Sequence, residues 1–212
     1  MFAVSACPSC PRCPRREMSP RSQDSVNPFV LKHLVVVSGY TGAGKSTMAE
    51  AIATDIGASV VSFDWIMSGL RSFPEVWSHV ETPVERQRSV GWALMSRVGE
   101  QQLRAGRSVV FDLVARSAAL IEWMELAERN EARLSVVECV CSDPPLQLAR
   151  IAGRNRQIPG WYELTSSDVE RSRARYQPLP DPKVVVDSVN PLSANVEIVL
   201  RSIRGAPVQP EP

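Results

Sequence analysis

Leu34, Val35, Val36 and Val37 form a continuous apolar run that stops just before Gly39. A run of strand length that is apolar on both faces is what a strand inside a parallel sheet presents. The periodicity then changes. Met48, Ala49, Ile52, Ala53 and Ile56 recur at three- and four-residue spacing, which predicts a helix over Lys45–Ile56 ended by Gly57. Val60–Phe63 returns to a strand pattern and ends at Asp64, with a helical turn expected over Trp65–Leu70 and a break at Pro74. From Pro83 to Ala105 an amphipathic stretch sets Val90, Leu94, Val98 and Leu103 on one side and stops at Gly106. A third strand, Ser108–Phe111, is closed by Asp112. A helix over Ala118–Asn130 and a fourth strand over Leu134–Val140 follow. Asp143-Pro144 opens another helix as N-cap and first-turn proline, and Asn190-Pro191 gives the same signal before Leu192–Ile203, with a fifth strand at Lys183–Val186 between them.

Strand and helix therefore alternate along the chain. With strands apolar on both faces, that order predicts an α/β fold with a parallel sheet, helices on each side and right-handed crossovers. The 212 residues fall in the range of one domain, large enough to close a core without metals or disulfides. The expected boundaries are a Pro/Arg/Cys-rich disordered tail over 1–28, a globular domain over 29–205 and a loose tail over 206–212. Composition adds little bias. Lys and Arg number 24 against 23 Asp and Glu, so no bulk field favours nucleic acid or an anionic membrane, and any basic site has to be local. No apolar run reaches the roughly 18 residues of a membrane span. The first ten residues make a poor secretory signal, so the cytoplasm is the expected compartment.

Cys7, Cys10 and Cys13 form a CxxCxxC string that could offer three thiolates to zinc or an iron–sulfur cluster. A fourth ligand is missing nearby, and a disordered tail is the preferred reading. Cys139 and Cys141 share one face of the fourth strand, where packing is the usual role of a free thiol.

The segment Gly39-Tyr40-Thr41-Gly42-Ala43-Gly44-Lys45-Ser46, followed by Thr47, fits GxxxxGK[ST] and lies between a predicted strand and a predicted helix, as its mechanism requires. Its glycines let successive backbone N–H groups turn toward a phosphate chain, and the helix beginning at Lys45 adds the positive end of its dipole. Lys45 is placed to reach the β- and γ-phosphates, and Ser46 to bind magnesium. Asp112, after Val109-Val110-Phe111, has the strand-then-acid pattern of a magnesium-orienting carboxylate. Asp64 ends the second strand. Carboxyl ends of parallel strands share one sheet edge, so Asp64, Asp112 and the glycine loop should face one crevice, with Asp64 as candidate base for a substrate hydroxyl. The alternative for Asp64 is an N-cap on Trp65–Leu70. Arg150, Arg154 and Arg156 lie on a helix running into the Pro/Gly-rich segment Asn155–Trp161, a candidate lid over about 150–165. Arg150 and Arg154 are candidate phosphate contacts, the role of Arg156 is left open, and Arg171, Arg173 and Arg175 read as an exposed helix face.

Taken together, the phosphate loop, Asp64, Asp112 and the arginine segment resemble the small P-loop kinase family, which includes chloramphenicol phosphotransferase, zeta toxin, gluconate kinase and polynucleotide kinase domains. The resemblance spans about Leu34 to Ile203. It implies a three-layer P-loop NTPase sandwich of about five parallel strands with the loop strand central, a helical lid, ATP with Mg2+, and γ-phosphate transfer to a hydroxyl of a small molecule such as an antibiotic, sugar or nucleotide-like acceptor. Asp64 would act as general base, with Arg150 and Arg154 on the phosphates. Many relatives carry an arginine three residues after that acid. Met67 stands there, and Arg71 could substitute. The alternatives are a nucleic-acid 5'-hydroxyl kinase, favoured if Arg86, Arg88, Arg97 and Arg104 line one channel with Trp92, a toxin-like nucleotide-sugar kinase, and a non-catalytic ATP switch. The missing NKxD motif leans toward adenine over guanine.

Overall fold

The computed structural model describes residues 31–205. The Cys7/Cys10/Cys13 string and both expected tails, 1–28 and 206–212, lie outside these residues. Five strands form a wholly parallel sheet. They are β1 (Lys32–Ser38), β2 (Ser59–Ser62), β3 (Val109–Asp112), β4 (Ala132–Val140) and β5 (Val184–Asp187), in the order β2-β3-β1-β4-β5. The strand that leads into the glycine loop is thus central.

The helices between them are α1 (Lys45–Ile56), α2 (Phe63–Arg71), α3 (Pro74–Val80), α4 (Val84–Arg104), α5 (Ser117–Arg129), α6 (Pro144–Ala152), α7 (Ser166–Arg175) and α8 (Leu192–Ile203). Alternation along β1 divides the core, because successive side chains of a strand point to opposite faces. Val35 and Val37 pack with Met48 and Ile52 of α1 and Val199 and Ile203 of α8. Leu34 and Val36 pack with Met95 of α4, Phe111, and Trp123 and Leu126 of α5. These are the three layers of a P-loop NTPase fold.

Several boundaries differ from the sequence pattern for identifiable reasons. Phe63 belongs to α2 rather than to β2, so Asp64 sits in the first helical turn, separated from the strand by Phe63. The helical course does break before Pro74, α2 ending at Arg71, and Pro74 then opens α3 at a first-turn position, where its missing N–H is no loss. Leu103 of the expected stripe is buried, but the rest of the buried face of α4 is Gly91, Met95, Ser96 and Gly99 rather than Val90, Leu94 and Val98, and Val98 is exposed. Ring packing explains this rotation. A Cβ on Gly91 would lie 2.2 Å from Phe63, and one on Gly99 would lie 2.5 Å from Phe111. Asn190 is not the cap of α8, which starts at Leu192 with Pro191 before it and no side-chain cap. Asp143 does cap α6, its Oδ1 accepting from the Leu146 N–H at 2.9 Å.

One buried polar cluster ties the segment after α7 to the sheet. Glu138, 3% exposed, accepts from Lys183 Nζ at 2.8 Å, from the Leu179 N–H at 3.2 Å and from the Tyr176 hydroxyl. Burial pushes its carboxyl up, but the bonds from Lys183, Tyr176 and Leu179 outweigh burial and hold it below the ordinary carboxylate range. Glu138→Ala leaves the partly buried Lys183 uncompensated and is expected to destabilise the fold by about 3 kcal/mol, measured by urea unfolding. A carboxyl with a depressed folded-state pKa contributes stability above its unfolded value of about 4.3, lost as the pH falls through the lower folded-state value. Wild type should therefore lose this increment on acidification, and the variant should lack it.

Candidate active site

The loop between β1 and α1 is shaped by its glycines. At Gly39, φ is +144° and an added Cβ would meet the Cys139 carbonyl oxygen at 2.1 Å, so only glycine lets the loop pass over β4. Gly44 caps α1 in the left-handed region without a side-chain hydrogen bond. The first-turn N–H groups of α1 consequently have no side-chain acceptor and suit an anion. Neighbours clamp the loop. Gln147 Nε2 of α6 donates to the Thr41 carbonyl at 2.6 Å, and the Thr41 N–H donates to Ser172 Oγ of α7 at 3.0 Å. Tyr40 is buried, its hydroxyl bonded to the Cys141 carbonyl and N–H, so its side chain holds the loop while its carbonyl accepts from Lys45 Nζ at 2.9 Å. Ala43 is fully buried, and Thr47, the third residue of α1, is exposed.

Beside the loop runs a crevice of about 250 Å³, lined in part by Gly42, Lys45, Ser46, Asp64, Asp112 and Arg154. Register explains the meeting. Asp112, the last residue of β3, pairs with Val37 on one side and Ser62 on the other, which sets it between the start of the glycine loop and the entry to α2. Asp112 is 7% exposed. Burial raises its pKa, while Lys45 and the hydroxyls of Ser46 and Ser62 pull it back. Burial likewise lowers the pKa of Lys45, against the opposing pull of Asp112 and Asp64. Each ion is thus stabilised mainly by the other charges of the crevice. The Ser46 hydroxyl and the Asp112 carboxylate are hard oxygen donors on one wall and fit a magnesium ion.

Asp64 is not an N-cap: Ser62 holds that position, and Asp64 Oδ2 instead accepts from Arg156 Nη1 at 2.5 Å. The Arg156 side chain is only 6% exposed. It also donates to the Tyr162 carbonyl at 2.6 Å and has Glu163 at 3.6 Å from its Nε. Arg156, left without a role by sequence reasoning, therefore pins the segment after α6 over Asp64. That segment is held again by Arg71, whose guanidinium lies 5.8 to 5.9 Å from the rings of Trp77, Trp161 and Tyr162. Arg71 is consequently occupied by aromatic faces and does not line the crevice, and Met67 is fully buried.

Arg154 lines the crevice, but Arg150 does not. Arg150 donates to Ser188 Oγ and to the Ser188 carbonyl, both at 3.0 Å. It lines a neighbouring cavity of about 730 Å³ between the glycine loop, Thr47, Ile151 and the residues after β5, which Arg154 also borders. Arg171, Arg173 and Arg175 are exposed on α7 as expected, yet Arg171 and Arg175 line the crevice. So do Arg88 and Arg116. Their signal was weak because they come from three separate elements, and only the fold reveals their convergence. Of the four arginines that would have marked a nucleic-acid channel, Arg88 alone shares the crevice with Trp92. Arg86 is bonded to the carbonyls of His79 and Thr82, and Arg97 to Glu100.

Among solved structures, Chaetomium thermophilum Kti12 in complex with ADP-AlF3 is 16% identical, with TM-score 0.60, covering 83% of this chain and 100% of its own. A gluconokinase from Sinorhizobium meliloti 1021 is 21% identical, with TM-score 0.56, covering 82% and 91%. The Mycobacterium tuberculosis APS kinase CysC in complex with AMPPNP and APS is 14% identical, with TM-score 0.58, covering 82% and 99%. These likenesses establish the fold. No curated protein matches the sequence. The family model described as AAA domain matches residues 34–179, well over half of the chain. The chain therefore belongs to the AAA domain family and has the P-loop fold shared by small kinases.

Proposed function

We propose that this chain is an ATP-dependent kinase that transfers the γ-phosphate to a hydroxyl of a small molecule. One observation carries the reading: a carboxylate that caps no helix, Asp64, opens onto the same crevice as Lys45, Ser46, Asp112 and Arg154. The glycine-loop N–H groups and Lys45 bind the β- and γ-phosphates. The nucleoside lies in the larger cavity beside Thr47, with Arg150 along its wall. Ser46 and Asp112 would hold a magnesium ion, which would supply charge neutralisation for the phosphates. Arg154 faces the charge that spreads over the transferring group. Asp64 holds the acceptor hydroxyl in line and takes its proton as the oxygen–phosphorus bond forms and the bond to ADP breaks.

The names of two neighbours, gluconokinase and APS kinase, support a small hydroxyl acceptor. The arrangement of Arg86, Arg88, Arg97 and Arg104 gives no support to a nucleic-acid 5'-hydroxyl kinase. Among the described residues no helix is long and apolar enough to cross a membrane, and we assign the activity to the cytoplasm. The test is an untargeted metabolite screen with γ-labelled ATP and Mg2+. Label should pass to a discrete acceptor at a rate exceeding ATP hydrolysis. Hydrolysis with no acceptor in any metabolite fraction would instead make the protein an ATP switch.

A further inference from the structure

The charges around the crevice fall into two groups. Lys45 feels Asp112, Asp64 and Arg154. Arg88 feels Arg116, Glu85 and Arg175. The second group draws one guanidinium from each of three elements: Arg88 from α4, Arg116 from the turn before α5 and Arg175 from the end of α7. All three line the crevice, together with the apolar residues Trp92, Phe63 and Leu113.

Their supports are rigid. The turn that carries Arg116 is fixed by the Leu113 N–H on the Val37 carbonyl at 3.2 Å and the Ala115 N–H on the buried Ser38 Oγ at 2.9 Å. Helix α7 begins in a capping box of Thr165 and Asp168 and is anchored by Ser172 and Arg173 to Thr41 and the Cys141 carbonyl. Like charges lining one crevice repel unless an anion lies between them.

Compensation within the chain is incomplete. Arg171 is paired with Asp168 at 2.5 Å, and Arg156 with Asp64 at 2.5 Å. Arg88 has Glu85 at 3.6 Å, a carboxylate 74% exposed. Arg116 donates only to the neutral amide of Gln177, at 3.1 Å. Among the described residues neither Arg116 nor Arg175 pairs with a carboxylate. Within the trio, two guanidinium charges are thus left over.

We infer that Arg88, Arg116 and Arg175 form an anion subsite for the acceptor, and that the acceptor is a hydroxyl compound bearing a phosphate monoester. This rests on the kinase reading above. A phosphate monoester is a dianion near neutral pH and presents several oxygens to planar guanidinium donors, matching both the leftover charge and the fork geometry. A carboxylate would answer only one of the two charges. The apolar wall of Trp92, Phe63 and Leu113 covers the carbon frame between the phosphate and the hydroxyl that faces Asp64. With Arg71 held by aromatic rings, α2 brings no arginine to the crevice, and this trio supplies the positive charge instead.

The test separates the subsite from turnover. Protein loaded with AMPPNP and Mg2+, so that the glycine loop is filled, is titrated with inorganic phosphate by calorimetry, and in parallel with acetate. Wild type should bind one phosphate and bind acetate far more weakly. Arg116→Gln combined with Arg175→Gln should weaken phosphate binding by about tenfold or more, the scale of losing charge-assisted hydrogen bonds. Should the double change disturb the fold, Arg175→Gln alone, at an exposed position, gives the same readout. Unchanged phosphate affinity in these variants, no phosphate binding by wild type, or acetate binding as tightly as phosphate would each overturn the inference. Phosphate binding that needs these arginines, in a protein that phosphorylates no hydroxyl compound, would defeat the kinase reading and leave the subsite standing. Turnover of an uncharged acceptor, indifferent to the same changes, would do the reverse.

Discussion

Lys45→Ala is expected to lower phosphotransfer roughly 10³-fold, the scale of removing a preorganised charge from a transferring phosphoryl group. The ammonium is held where burial disfavours its charge and Asp112 and Asp64 favour it. A protein keeps such a group charged only by surrounding it with anions, and the triphosphate adds several more. In the structure Lys45 Nζ rests on the Tyr40 carbonyl of its own loop, a contact given up easily when a phosphate arrives. Folding should survive, because Lys45 belongs to neither core cluster. Thermal melts of the two proteins should therefore nearly coincide. Near-normal phosphotransfer by Lys45→Ala would remove the glycine loop from the mechanism.

The fold was legible because its strands are short apolar runs and its helices carry distinct stops. Leu34–Val37 is fully buried in the central strand, as a run apolar on both faces requires. What the pattern misplaced is equally physical. On α4, Gly91 and Gly99 contribute nothing to an apolar stripe, yet they form the buried face because Phe63 and Phe111 fill the space their missing side chains leave. A hydrophobicity pattern counts side chains and is blind to a face built by their absence. Pro191 was misassigned as a first-turn residue, and Pro74 ends one helical course only to open the next, since proline suits either side of a helix start.

In the site, the contiguous motif and the strand-end acids could be read directly, because chain order alone brings them to one sheet edge. The arginines could not. Arg150 and Arg154 share a helical face in sequence, but Arg150 turns to Ser188 after β5, while Arg156 two residues past Arg154 closes on Asp64. Those outcomes depend on where the segment after α6 lands, and that is fixed by Arg71 and the aromatic rings around it. A capping box at Thr165 and Asp168 was present in the sequence and would have located α7, and with it Arg175.

Asp64→Asn is expected to reduce acceptor phosphorylation by roughly 10²-fold or more while ATP–magnesium affinity stays close to wild type. Asparagine keeps the shape and can still accept a hydrogen bond, but it cannot take a proton. Since Asp64 is not the N-cap of α2, helix stability gives no competing explanation. The ion pair with Arg156 does. Asp64 Oδ2 is the partner of a nearly buried guanidinium, so the substitution also leaves Arg156 with less negative charge around it, and the segment over the crevice could loosen on that account alone. The double variant Asp64→Asn/Arg156→Gln separates the two causes. If the single variant fails because Arg156 is orphaned, removing the guanidinium should restore a large part of the rate. If it fails because the proton has no acceptor, the double variant stays at or below the single one. Asp112→Asn supplies the second contrast: weakening the magnesium shell should depress background ATP hydrolysis along with acceptor phosphorylation, whereas Asp64→Asn should spare hydrolysis. Full acceptor phosphorylation by Asp64→Asn, or its rescue by Arg156→Gln, would make Asp64 an anchor for the lid, and the crevice would then need another base.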